Sequence, residues 1–274
     1  MAVTDMTDRR PMLRWAIALC TAVGIGAGAL AVAQQPPTYR APRSADNHPD
    51  LQGIWQVLNS AEYDLLDHGA SLEAPAGRSV VEGNEIPYRP DALAQRRDNF
   101  AKRATADPNR TCSFPGVPRI TYMPYPFKIV QNKGLTMFLY EFGHHTRLVY
   151  TDGTPFHEGI LSWMGDSRGR WEGETFVVET KSFNADTWFS RVGDFHSDAL
   201  NVVERFTRTG ADHLRYDVTI TDPKVFTRAW KMSMPLYRRV EPDAGLIEYE
   251  CFAMQVFEGG RYDDMIRKLK PAAR

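Results

Sequence analysis

Cysteine is scarce in this sequence: three residues in 274, one of them, Cys20, inside an apolar N-terminal stretch. That excludes a small disulfide-scaffold protein. An excess of either charge is missing as well, with 33 Lys and Arg against 34 Asp and Glu. A near-neutral chain lacks the basic surface that broad nucleic-acid binding needs, so no nucleic-acid partner is expected. No internal repeat recurs, which excludes solenoids and propellers. Gly165, Gly169 and Gly173 are spaced for tight turns, and no G-x-G-x-x-G or G-K-[ST] follows a strand, so no nucleotide cofactor is expected. H-x-H, H-E-x-x-H and Cys/His spacings are missing too, and no metal is expected. Present instead are 14 Phe, 11 Tyr and 6 Trp, ample for a packed core.

Arg9, Arg10 and Arg14 precede an apolar run from Trp15 to Ala33 that ends Ala31-Val32-Ala33. A charged start, an apolar centre and an A-x-A end read as a secretory signal over 1–33, with an uncleaved anchor as the rival. Cleavage would leave a periplasmic or secreted protein with no membrane segment. Cys112 and Cys251 then remain, and an oxidising compartment suggests that they pair. Such a bridge closes a loop of roughly 140 residues and is worth roughly 4–5 kcal/mol by chain entropy. Two buried free thiols are the alternative.

Residues 34–49 read as an extended, Pro-rich leader, and 50–274 as one domain. A helix is expected over 90–104, with Leu93, Phe100 and Ala104 sharing a stripe. Period-2 alternation marks strands at 51–57, 127–131, 135–142, 146–151, 161–167, 174–180, 200–209, 213–221, 226–239 and 246–257. Short links and no β–α alternation call for an all-β antiparallel meander, closed into a barrel of about 8–10 strands with one or two peripheral helices. A barrel of that size can hold one small ligand.

Gly53-x-Trp55, at the start of the first strand, resembles the opening of lipocalins and related calycin barrels, where the Trp closes the barrel floor. The body from Pro49 to about Cys251 also resembles a widespread group of secreted bacterial proteins. Matching runs include Pro49–Trp55, Tyr125–Gln131, Arg170–Thr175, Phe183-Asn184, Thr187-Trp188, His196-Ser197, Glu204–Phe206, Asp222-Pro223 and Thr227–Trp230. A thinner resemblance is to bacterial lyases and decarboxylases that open lignin-derived phenylcoumaran dimers into stilbenes. It implies a carbon–carbon lyase of decarboxylase or formaldehyde-lyase type.

If the hairpin 135–151 turns about His144, Glu141 faces Arg147, and parity puts both on one face with Met137, Leu139 and Val149. Inside a barrel they would form a desolvated pair; outside, a weak surface bridge. Of seven histidines, His48, His68 and His213 are expected at the surface, while His144, His145, His157 and His196 fall in the Gly- and Trp-rich segment 143–198. His145 and His196 are the acid/base candidates, since imidazole titrates near neutrality. Glu204 joins them, because the loop bearing His196 and Ser197 leads directly into its strand. Ser197 is a hydrogen-bonding residue; without a G-x-S-x-G elbow it is no nucleophile. Catalytic His145, His196 and Glu204, with substrate-binding Glu141, Arg147, Trp163 and Trp188, are expected to converge on one cavity.

Three functions compete. One is a cofactor-independent periplasmic enzyme acting on a hydrophobic, phenolic small molecule. In it a base such as His145 or Glu204 takes the phenol proton, His196 assists, and Arg147 holds an anionic or hydroxyl-bearing arm. The second is a lipocalin-like carrier of a small hydrophobic or aromatic ligand. The third is a filled barrel that works through its surface. The oligomeric state, a homodimer included, stays open.

Overall fold

A computed structural model describes residues 39–251; the expected signal, residues 34–38 of the leader and the C-terminal part of the strand expected at 246–257 lie outside the described residues. Nine strands form a closed barrel in sequence order: β1 (Gly53–Gln56), β2 (Phe127–Asn132), β3 (Leu135–Tyr140), β4 (Thr146–Tyr150), β5 (Asp166–Glu172), β6 (Thr175–Lys181), β7 (Asn201–Gly210), β8 (His213–Thr221) and β9 (Trp230–Arg238). A ring with an odd number of strands cannot be antiparallel throughout. The forced parallel neighbours are β4 and β5, paired at Val149–Ser167, and the crossover 151–165 supplies the return path. The meander is therefore antiparallel except at this seam.

The seam also corrects the strand expected at 161–167, since β5 starts only at Asp166. Leu161 and Trp163 drew the strand too early, yet both are exposed. Strict alternation fills the interior elsewhere: Val202, Phe206, Leu214, Tyr216, Met232 and Met234 all point inward. Trp55 is fully buried, its indole N–H donates to Leu51 O at 2.9 Å, and the Arg238 guanidinium lies 5.6 Å from its ring centre. Gly53, at φ +140°, makes room, since a Cβ there would come within 3.1 Å of that guanidinium.

Strand direction alternates so that three two-residue turns (133–134, 173–174 and 211–212) share one end, and the connections 57–126, 141–145, 182–200 and 222–229 share the other. The loop-rich end carries the helix α1 (Pro90–Ala106). Its buried positions are Ala92 and Asn99, not the expected stripe: Leu93 and Phe100 are exposed. The reason is a close approach at Gly193, where a Cβ would stand 2.6 Å from that of Asn99, while Asn99 Nδ2 donates to Gly193 O. Phe100 is covered instead by the Arg103 guanidinium, 4.3 Å from its ring centre.

Cys112 and Cys251 are bridged across a sequence separation of 139, with Cα atoms 5.6 Å apart. The bridge fits an oxidising, extracytoplasmic environment. Among the described residues no helix is long and apolar enough to cross a membrane.

Candidate functional site: a sealed polar ladder and an open aromatic rim

The barrel interior holds a ladder of polar side chains contributed by five consecutive strands. Arg147 of β4 meets both carboxylate oxygens of Glu204 of β7, with Nη1 3.2 Å from Oε1 and Nη2 in close contact with Oε2. Arg147 Nε donates to Ser167 Oγ of β5 at 2.9 Å, and Nη2 also to Thr180 Oγ1 of β6 at 2.7 Å. Tyr216 of β8 donates to Glu204 Oε1 at 2.7 Å. The Arg147 guanidinium also lies 5.6 Å from the Phe138 ring centre. Burial alone would lower the Arg147 pKa, but the Glu204 charge overrides it and the guanidinium is held more firmly protonated. Burial, then the same carboxylate, pushes the Tyr216 phenol well up. The ladder is bidentate, hydrogen-bonded along its length and closed to solvent, with Glu204 at 0% exposure.

Arg147 therefore has a carboxylate partner inside the barrel, but it is Glu204 and not Glu141. The hairpin pairs Phe138 with Arg147, three positions away in register from the expected Glu141–Arg147 pairing. An odd shift exchanges the faces of β3, so Thr136, Phe138 and Tyr140 point in and Met137 and Leu139 do not. Gly143 and His144, at φ +59° and +52°, make the turn. Glu141, at the strand end, is buried and accepts from Ile247 N at 3.0 Å, which ties the C-terminal strap 246–251 to the hairpin.

His196 is buried against the Phe183 and Phe189 rings. Its Nδ1 faces Ser197 O at 2.9 Å, and a carbonyl only accepts, so Nδ1 carries the proton. Nε2 then accepts from Thr187 Oγ1 at 2.7 Å. Both nitrogens are engaged, and burial lowers the pKa of the ring. Ser197 is tied to Asp222, its Oγ donating at 2.8 Å. Trp188 is half-buried on the same loop and pairs through its backbone with Phe195.

His145 stands apart from these. Its ring stacks on Phe114 at 4.2 Å and 23°, and Phe114 in turn stacks on Trp163 at 5.6 Å and 17°. Phe114 and Trp163 are 38% and 43% exposed, so this three-ring stack opens to solvent. A cleft of about 460 Å³ runs between the hairpin and the strap, lined by His144, His145, Thr146, Leu246 and Ile247. His144 is exposed, 3.5 Å from Glu250. Of the two histidines, His145 faces the aromatic group. Burial, then the neighbouring His144, lowers its pKa to about 4, which keeps the imidazole neutral at physiological pH.

A histidine neutral in the fold but free to protonate near 6.5 when unfolded contributes fully above that pH. Stability then falls as pH drops from about 6.5 towards 4. Denaturant unfolding across this range should show the loss, and His145→Phe should make it shallower. A His145 ring resonance titrating near 6.5 would contradict the assignment.

The residues expected to converge thus form separate groups: Arg147 with Glu204 inside the barrel, His196 sealed beneath the loops, and His145 with Trp163 at the rim. Phe114, central to the rim, carries no motif; its only sequence signal is its position two residues after Cys112. Ser60 and His68, which also lack a motif, lie 2.9 Å apart, and His68 is half-buried where an exposed surface residue was expected. Compared with known proteins, the chain matches no family and no curated relative, so the reading of its function rests on the residues themselves.

Proposed function

We propose that this is an exported, lipocalin-like barrel enzyme that takes a flat phenolic molecule at the rim, with His145 as proton acceptor in a cofactor-independent, lyase-type cleavage. The observation that carries the reading is the solvent-open stack of Phe114 and Trp163 with an imidazole held neutral by its surroundings. A phenol matches both features, offering a flat face to the rings and an O–H to a neutral ring nitrogen. As the phenol proton moves to His145, the phenolate electron pair opens the benzylic ether to a quinone methide and a second phenolate. Loss of the adjacent carboxylate as CO₂, or of the hydroxymethyl carbon as formaldehyde once its O–H proton has passed to the second phenolate, returns the electrons to the first ring and leaves a stilbene, and His145 gives its proton back to a phenolate oxygen. The sealed ladder serves this rim by fixing the strand that carries Arg147, two residues beyond His145. The apolar N-terminal run and the bridge support export.

Carriage without chemistry is the second reading, and one observation favours it. At a pKa of about 4, His145 is a weak base in the free protein, while His196 and Glu204 are sealed. Incubation with lignin-derived phenylcoumaran dimers, followed by mass spectrometry of bound and converted species, separates the two. The enzyme converts the dimer, and His145→Ala lowers turnover by about 10²–10⁴ while His145→Gln still binds. A carrier binds the dimer unchanged. Neither binding nor product would end both readings.

A further inference from the structure

We propose that Ser60 and His68 form a second, separate site: a nucleophilic dyad that accepts acyl groups from small hydrophobic esters. His68 Nδ1 lies 2.8 Å from Leu66 O. A carbonyl cannot donate, so Nδ1 carries the proton and the neutral ring presents a lone pair at Nε2. Ser60 Oγ sits 2.9 Å from that nitrogen and must be the donor. This is the relation of a hydroxyl to its general base, with the base oriented by a third group, here a carbonyl.

The pair is held by more than its own contact. His68 and Gly77 exchange two backbone hydrogen bonds, 3.1 and 3.0 Å, that fix the imidazole over the Gly77 Cα. A Cβ at Gly77 would stand 2.1 Å from Ser60 Oγ and 2.5 Å from His68 Cε1, so only glycine allows the two side chains to meet. Ser60 opens onto a cleft of about 770 Å³ whose apolar lining includes Leu58, Pro124, Met234 and Pro235. Leu58 is two-thirds exposed there. An apolar cleft beside an activated hydroxyl suits an ester with a small alkyl or aryl acyl group.

In the reaction Ser60 Oγ attacks the ester carbonyl carbon and its proton passes to His68 Nε2. The ester C–O bond breaks, and the alcohol leaves with that proton. Water, deprotonated by His68, then releases the carboxylic acid and restores Ser60.

The test uses the full chain with its disulfide intact and a fluorophosphonate, which marks an activated serine as fluoride leaves phosphorus. Intact mass and peptide mapping should find one adduct, on Ser60. Ser60→Ala should abolish it, and His68→Gln should slow it by about 10²-fold or more. Gly77→Ala, which displaces the pair, should slow it too. Wild-type protein without an adduct on Ser60, or His68→Gln labelled at the wild-type rate, would overturn the proposal.

Discussion

Glu204→Ala should lower the unfolding free energy by about 3–5 kcal/mol, among the largest effects of any single substitution in this chain. The alanine would leave the Arg147 guanidinium, itself only 4% exposed, charged and without its carboxylate. Tyr216 would lose the acceptor for its hydroxyl as well. For a domain of this size the melting temperature should fall by roughly 10 °C or more. Arg147→Met with Glu204→Leu should recover most of the loss, because it removes both charges and leaves apolar volume in the same space. Guanidinium unfolding of the single and double variants checks this. A Glu204→Ala effect below about 1 kcal/mol would mean that the pair is solvated.

Removing the bridge, as Cys112→Ser with Cys251→Ser, should cost about 5 kcal/mol by chain entropy, given the 139 positions that it spans. The effect should also be felt locally. The strap that ends at Cys251 meets the hairpin through Ile247 and Glu141, and through the Tyr249 ring, 5.3 Å from that of Phe142 and 4.6 Å from that of Tyr125. Cys112 also precedes Phe114 by two residues, so the rim stack loses its nearest covalent anchor. Calorimetry of oxidised and reduced protein, with exposure of Trp163 followed by fluorescence quenching, checks both parts. Equal melting temperatures would show that the bridge does not restrain the unfolded chain.

Much of the barrel is legible in the sequence because period-2 burial is a direct imprint of sheet geometry, as in Val202, Glu204, Phe206 and Arg208. The seam is not. A parallel pair leaves no local mark, and only counting nine strands around a ring reveals that one must exist. The hairpin at 141–145 fails for a similar reason. Parity depends on one integer, and centring the turn between Phe142 and Gly143 instead of on His144 takes Glu141 out of register with Arg147. The site suffers most from this sensitivity. Arg147 and Glu204 are 57 positions apart and meet only through the register of β4 to β7, which no single strand encodes. Phe114 and Ser60 lie in irregular segments where periodicity has no meaning, so their neighbours are fixed by the fold alone.

On the proposed function, a phenolic ligand docks on the rim stack and not inside the barrel. A titration of protein labelled at histidine and tryptophan nitrogens with a phenylcoumaran-type phenol, followed by NMR, decides this. The His145 ring and the Trp163 indole should shift together and saturate with one dissociation constant, while the buried indoles of Trp55 and Trp230 stay in place. Shifts at Trp55 or Trp230 with His145 and Trp163 unmoved would place the ligand in the barrel and contradict the account.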